Sequence, residues 1–178
     1  VPARQGHNDR RRGGVPNGHQ GRAAAPIREN CSAFSPNHLA IVGSRRHWAV
    51  VDRAPLLHFT RRRSAQRAIT VLRHYRMSKQ CTIGYPKAVF RYYLTNSAAP
   101  RGYRLRGEHC ASFSPVLLRL VRTRRGHWML AEGRRYLFRF RYNRRDAIKA
   151  LNVIQKYTFN HSCYVGHGRH VMRYLLQR

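Results

Sequence analysis

The sequence predicts an α+β protein made of two tandem β-β-β-α-β repeats, each an antiparallel sheet with one helix, docked with pseudo-twofold symmetry. Three observations lead there. The chain carries one pattern twice: Cys31, Phe34, Pro36, Leu39, His47-Trp48, Tyr75, Cys81, Gly84 and Arg91-Tyr92 return as Cys110, Phe113, Pro115, Leu118, His127-Trp128, Tyr157, Cys163, Gly166 and Arg173-Tyr174. The offset drifts only from 79 to 82, so single-residue insertions in loops reconcile the copies. Self-similarity at a fixed spacing marks each copy as one structural unit. Within each copy the apolar period changes from two to about 3.6, strands giving way to a helix. Two cysteines per copy, at equivalent positions, supply the third observation.

The elements follow in order. Leu39 and Ile41, like Leu118 and Leu120, alternate with their neighbours and predict a first strand. Gly43 to Arg46, and Arg124 to Gly126, read as hairpin turns. A second strand begins at Trp48 or Trp128. A third carries Leu57 and Phe59, matched by Tyr136, Phe138 and Phe140, with Arg139 and Arg141 on the opposite side. Ala65, Ala68, Ile69 and Leu72 then recur at helical spacing, as do Ala147, Ala150, Leu151 and Ile154. Ser64 and Asp146 stand just before these stripes and are the expected N-caps. Tyr75 and Tyr157 close the helices. A loop holding the second cysteine passes Gly84 or Gly166, and the closing strand runs through Phe90, Tyr92 and Leu94, or Met172, Tyr174 and Leu176.

Composition divides the chain further. Residues 1–28 contain almost no large apolar side chain and read as a flexible basic arm. Repeat 1 spans 29–94, a linker 95–107, and repeat 2 spans 108–178. Of the 178 residues, 36 are Lys or Arg and 6 are Asp or Glu, a formal charge of +30. The four segments carry +5, +10, +3 and +12 in order, so the charge covers the folded part and is not confined to the arm. Arg outnumbers Lys 32 to 4. A GC-rich coding sequence explains part of that ratio. Planar guanidinium forks that grip phosphate, sulfate or carboxylate explain the rest. Like charge at this density opposes compaction, so a counter-polyanion is expected.

The cysteines lie 50 and 53 residues apart within each copy and form no C-x-x-C pair, so metal spacing is absent and disulfides are expected. A unit that was duplicated should have been closed before duplication, which predicts Cys31–Cys81 and Cys110–Cys163. The chain begins with Val1 and has no apolar run of membrane-spanning length. Either a targeting segment was removed or the sequence starts internally; with disulfides, removal is favoured and the protein is expected to be secreted and extracellular.

Chemistry-bearing residues are few. Glu29 and Glu108 are equivalent, as are Asp52 and Glu132. Such pairs can serve as acid and base, but in so cationic a chain ion pairing and structural anchoring are the expected roles. His47 and His127 precede tryptophans and offer a metal-free ribonuclease pair; both copies keep them, which architecture explains equally well. No phosphate loop, nucleophile elbow or zinc helix is present, and neither catalytic residue, cofactor nor metal is expected. What remains is arginine interleaved with tyrosine, which suits phosphate contact and stacking.

The expected function is therefore a secreted cationic non-enzymatic binding protein for an anionic polymer or surface: nucleic acid, acidic polysaccharide, or the anionic membrane or envelope of bacteria, with host defence one outcome. The alternatives are a structural RNA-binding protein of a ribonucleoprotein or capsid, threaded by the basic arm, and a histidine-based secreted ribonuclease. On the face opposite the helices, Arg91, Arg119, Arg139, Arg141 and Arg173 are the candidate ligand-binding residues. Tyr93, Tyr103 and Tyr142 are the candidate exposed stackers.

Overall fold

The computed structural model describes residues 28–166 and 169–178. The arm expected over 1–28 therefore lies outside the described residues except for Arg28. The first half runs β1 (Asn30–Ala33), β2 (Ala40–Ser44), β3 (His47–Asp52), β4 (Ala54–Phe59), α1 (Arg62–His74), β5 (Lys79–Ile83) and β6 (Phe90–Leu94). The second repeats this order as β7 (Glu108–Ser112), β8 (Leu118–Arg122), β9 (Trp128–Glu132), β10 (Arg135–Arg139), α2 (Arg144–Lys156), β11 (His161–Val165) and β12 (Met172–Leu176). The α+β class, the antiparallel pairing and one helix per half agree with the sequence reading.

The strand count does not. The described residues hold twelve strands in four three-stranded antiparallel sheets, ordered β2-β3-β4, β10-β9-β8, β1-β5-β6 and β12-β11-β7. The cysteine segments are the additional strands: the sequence reads those of Cys81 and Cys163 as loops and assigns no element to those of Cys31 and Cys110. β1 is exposed at all four positions, and β5 alternates over Cys81 and Ile83 alone, too short a run to announce a strand. Pairing holds them instead. Cys31 lies directly opposite Cys81, Cys110 opposite Cys163, and both expected disulfides form across these ladders. Past each central strand, Gly84 (φ +107°) and Gly166 (φ +118°) turn the chain, and a Cβ at either would meet the carbonyl of Lys87 or Arg169 at under 3 Å. Only glycine fits there.

The helices start earlier than the apolar stripes. Arg61 caps α1 with no side-chain bond, so Ser64 is not its cap. In α2 Asn143 accepts from the Asp146 N–H, and its own amide donates to the Asp146 carboxylate at 2.6 Å. Asp146 is thus not the cap but the third helical residue, bonded to the cap side chain, while the Asn143 N–H donates to the Phe140 carbonyl. The first turns are exposed and arginine-rich, which hides them from a hydrophobic pattern. Tyr75 and Tyr157 do close the helices.

The core is shared between the halves. The buried face of α1 (Ala65, Ala68, Ile69, Leu72) packs on its own β2-β3-β4 sheet through Val50 and Leu57, and also meets Cys163, Val165, Met172, Tyr174 and Leu176 of the other half's disulfide sheet. Reciprocally, Ala147, Ala150, Val153 and Ile154 of α2 cluster with Leu118 and Leu130 and with Cys81, Ile83, Phe90, Tyr92 and Leu94 of the first half. Each helix is sandwiched between one sheet of each half, and β6 runs beside β12 without ladder bonds.

Candidate anion-binding cavity

Where β6 and β12 meet, an open cavity of about 440 Å³ has walls from both halves. On β6, Phe90, Tyr92 and Leu94 face the core, so alternation sends Arg91 outward; on β12 the same logic sends out Arg173. Both are exposed and line the cavity, with Arg139 from the end of β10. Three of the five arginines singled out by sequence thus converge from three strands. The rest of the lining is largely apolar and includes Leu57, Val89, Leu137, Phe138, Val171 and Leu175.

The remaining candidates separate. Arg141 lies beyond the end of β10 with φ +48°, not on the strand as its alternation suggested, and lines an adjoining cleft with Lys87, Tyr142 and Arg144. Arg139, Val89 and Phe140 border both spaces, so the two are continuous. Tyr142 is 73% exposed, with its ring edge-on to that of His127 at 4.9 Å. Tyr103, 92% exposed, belongs to a separate cleft with Arg101, Arg104 and Arg178. Arg119 does not join either group; it donates to the backbone carbonyls of Val116 and Leu118. Tyr93 reverses its expectation. It is 1% exposed, part of the core beneath the cavity, because two consecutive residues of β6 are both buried where β12 covers the second face. Burial pushes its phenol up to about 12 even though the Arg91 guanidinium beside it pulls the other way.

Among the described residues no carboxylate opposes these arginines. The ion pairs there are Arg135–Glu132, Lys156–Glu29 and Arg178–Glu108, and none uses Arg91, Arg139 or Arg173. The carboxylates are committed elsewhere. Asp52 accepts from the Ser35 N–H at 2.6 Å and Glu132 from the Ser114 N–H at 2.8 Å, each anchoring the Ser-Pro turn of its own half. Glu108, buried, accepts from the Tyr75 hydroxyl at 2.6 Å, the Leu105 N–H at 2.8 Å and Arg178 at 2.9 Å. Glu29 accepts from the hydroxyls of Tyr92 (2.7 Å) and Tyr157 (2.8 Å) and pairs with Lys156. Burial alone would raise the Glu29 carboxyl, but these three donors outweigh it and hold the group below its ordinary value. Each of these glutamates takes a hydroxyl from the helix-closing tyrosine of the opposite half, so the structural role expected for them is a tie between halves.

Two histidines each meet a cavity arginine. Arg139 contacts His127 Nδ1 at 2.8 Å and Arg173 donates to His170 Nδ1 at 2.7 Å; a guanidinium can only donate, so both nitrogens are unprotonated acceptors. Desolvation, then neighbouring arginines, lower both imidazoles from their ordinary value. His47 is exposed at the start of β3, outside the cavity. The two clusters of Glu and Cys with metal-like proximity consist of disulfide sulfurs beside a saturated carboxylate, which offers a cation nothing.

Sequence reasoning missed Lys87 and Arg144, and the cleft on the other side formed by His58, Arg61, Arg169 and His170. A signal existed. Lys87 aligns with Arg169, and Arg144 with Arg62, so the duplicated pattern keeps these cations, but they sit on loops and first turns where no periodicity draws attention. No helix among the described residues is long and apolar enough to cross a membrane. Comparison with known proteins gives no match: no family model, no curated protein and no solved structure corresponds to this chain.

Proposed function

We propose that this chain is a secreted, non-enzymatic binding protein for anionic polymers or anionic surfaces, and that the cavity between β6 and β12 is the centre of its binding face. One observation carries the reading: Arg91, Arg139 and Arg173 line a single cavity with no carboxylate among its described lining residues. Cations held this way and left without counter-charge need an external anion. Strand-borne guanidiniums lose less side-chain entropy on binding than loop-borne ones. The flanking clefts extend the positive field, with Lys87, Arg141 and Arg144 on one side and Arg61 and Arg169 on the other. In this reading the halves are related by a pseudo-twofold axis through the cavity, since its walls are formed by equivalent pairs: Val89 with Val171, Arg91 with Arg173, Leu57 with Phe138. The two disulfides suit an oxidising compartment outside the cell.

Binding of heparin and of duplex DNA to the triple variant Arg91→Ser/Arg139→Ser/Arg173→Ser tests this. If all three engage phosphate, DNA affinity should fall about a hundredfold near physiological salt, and the salt slope should flatten by about 0.9 for each phosphate no longer neutralised. Thermal stability should stay nearly unchanged, because no carboxylate is deprived of a partner. Wild-type binding that ignores salt, or a triple variant that binds as wild type, overturns the reading.

A further inference from the structure

The floor of the cavity is chemically unlike its rim. A site for a simple polyanion needs guanidiniums and nothing beneath them, yet here the arginines stand around a well of Leu57, Val89, Leu137, Phe138, Val171 and Leu175. Val89 is 47% exposed, a β-branched apolar side chain open to water between cations. The uncharged polar side chains of the lining are Ser162, Tyr93 and Tyr174. The described lining holds no Asn, Gln, Asp or Glu, the side chains that read the edges of a nucleobase or the hydroxyls of a sugar. The volume, about 440 Å³, lies within the range of roughly 300–1,000 Å³ used for small-molecule ligands and is far too small for a duplex.

We infer that the cavity binds an anionic amphiphile, a single alkyl or acyl chain seated on the apolar floor with a phosphate headgroup held by Arg91, Arg139 and Arg173. The charge sign comes from the three arginines without a carboxylate. The chain comes from the apolar side chains Leu57, Val89, Leu137, Phe138, Val171 and Leu175, which outnumber the polar ones of the lining. Arg139 and Arg173 are already steadied by His127 and His170, each spending one N–H on its histidine and leaving the rest of its guanidinium fork for a headgroup. This deepens the anion-binding reading and rests on it for the role of the rim; within that reading it selects lipid-like anions at the centre of the face.

Calorimetric titration with alkyl phosphates, kept below their micelle-forming concentrations, tests the inference. Dodecyl phosphate should bind one to one. Burying each methylene should strengthen binding about fourfold, so octyl to dodecyl phosphate spans about two-hundredfold. Inorganic phosphate and dodecyltrimethylammonium should bind at least a hundredfold more weakly. Val89→Trp fills the well from an exposed wall position and should weaken dodecyl phosphate at least tenfold while heparin affinity stays within twofold. Val89→Gln keeps the space, makes that wall polar, and decides the matter if the tryptophan variant does not fold. A flat chain-length series, equal binding of the cationic amphiphile, or unchanged dodecyl phosphate binding in both Val89 variants overturns the inference. Heparin binding retained in the wild type alongside any of these leaves the broader reading standing. Dodecyl phosphate binding without heparin binding removes the broader reading and keeps the cavity's ligand.

Discussion

Changing Tyr75 to Phe deletes one hydroxyl that ends α1 in the first half and donates to Glu108 of the second at 2.6 Å. Hydrogen bonds to a charged group contribute about 1.5–3 kcal/mol, so this change should destabilise by about 2 kcal/mol. Glu108→Gln keeps the shape but leaves Arg178 facing a neutral amide. Arg178 is one-fifth exposed and water relieves part of its loss, so about 2 kcal/mol is again expected. If the two groups are bonded, the double variant loses less than the sum, with a coupling of about 1–2 kcal/mol. Urea unfolding of the four proteins, disulfides intact, measures it. A third change gives an independent sign. The Tyr174 hydroxyl is buried without a hydrogen-bond partner among the described residues, so Tyr174→Phe removes an unsatisfied group and should stabilise by about 1 kcal/mol. Losses for Tyr75 and Glu108 that add to within about 0.3 kcal/mol, the error of such cycles, would refute the tie between halves. A destabilised Tyr174→Phe would show that this hydroxyl is bonded.

Two further outcomes are expected. Burial raises the phenols of Tyr75, to about 12, and of Tyr92 and Tyr174, with hydrogen bonding to Glu108 or Glu29 adding to the first two. A raised phenol favours the folded state below its unfolded value of about 10 and loses that contribution as pH rises towards the folded value, so alkaline unfolding should set in above about pH 10; phenolate absorbance from these tyrosines appearing before loss of the fold counts against their burial. Residues 28–97 expressed alone should show no cooperative unfolding, because α1 would lack Val165, Tyr174 and Leu176, and adding 98–178 should restore it. A cooperative transition in the isolated first half would mean that each half supports its own core.

Much of the fold is legible because duplication wrote it twice. Leu39, Val50, Leu57, Ala65, Leu72 and Tyr92 are buried as their periodicity indicates, and Leu118, Leu130, Ala147, Ile154 and Tyr174 repeat the result. Equivalence of the copies alone allows all three pairings of the four cysteines; the observed pairs follow from the argument that a duplicated unit was closed before duplication. Arg91 and Arg173 are legible as outward residues because strand alternation is a local rule, and local rules survive in one dimension. Lys87, Arg144 and Arg169 are not, since a loop or an exposed first turn has no period. Tyr93 escapes the same rule, because alternation says nothing about a strand covered on both faces.

The order of the helices and of the strands with apolar alternation, the outward residues Arg91 and Arg173, the cysteine pairs and the excess of cations are written in the chain itself. Three features arise only from packing in three dimensions. Helix α1 covers the disulfide sheet of the second half while α2 covers that of the first, Glu29 and Glu108 tie the halves through Tyr157 and Tyr75, and three arginines surround one apolar well. The physical reason is that two copies of one pattern carry identical local preferences. Nothing in them states whether a helix packs on its own sheet or its neighbour's; that choice rests on burial summed over residues far apart in the chain.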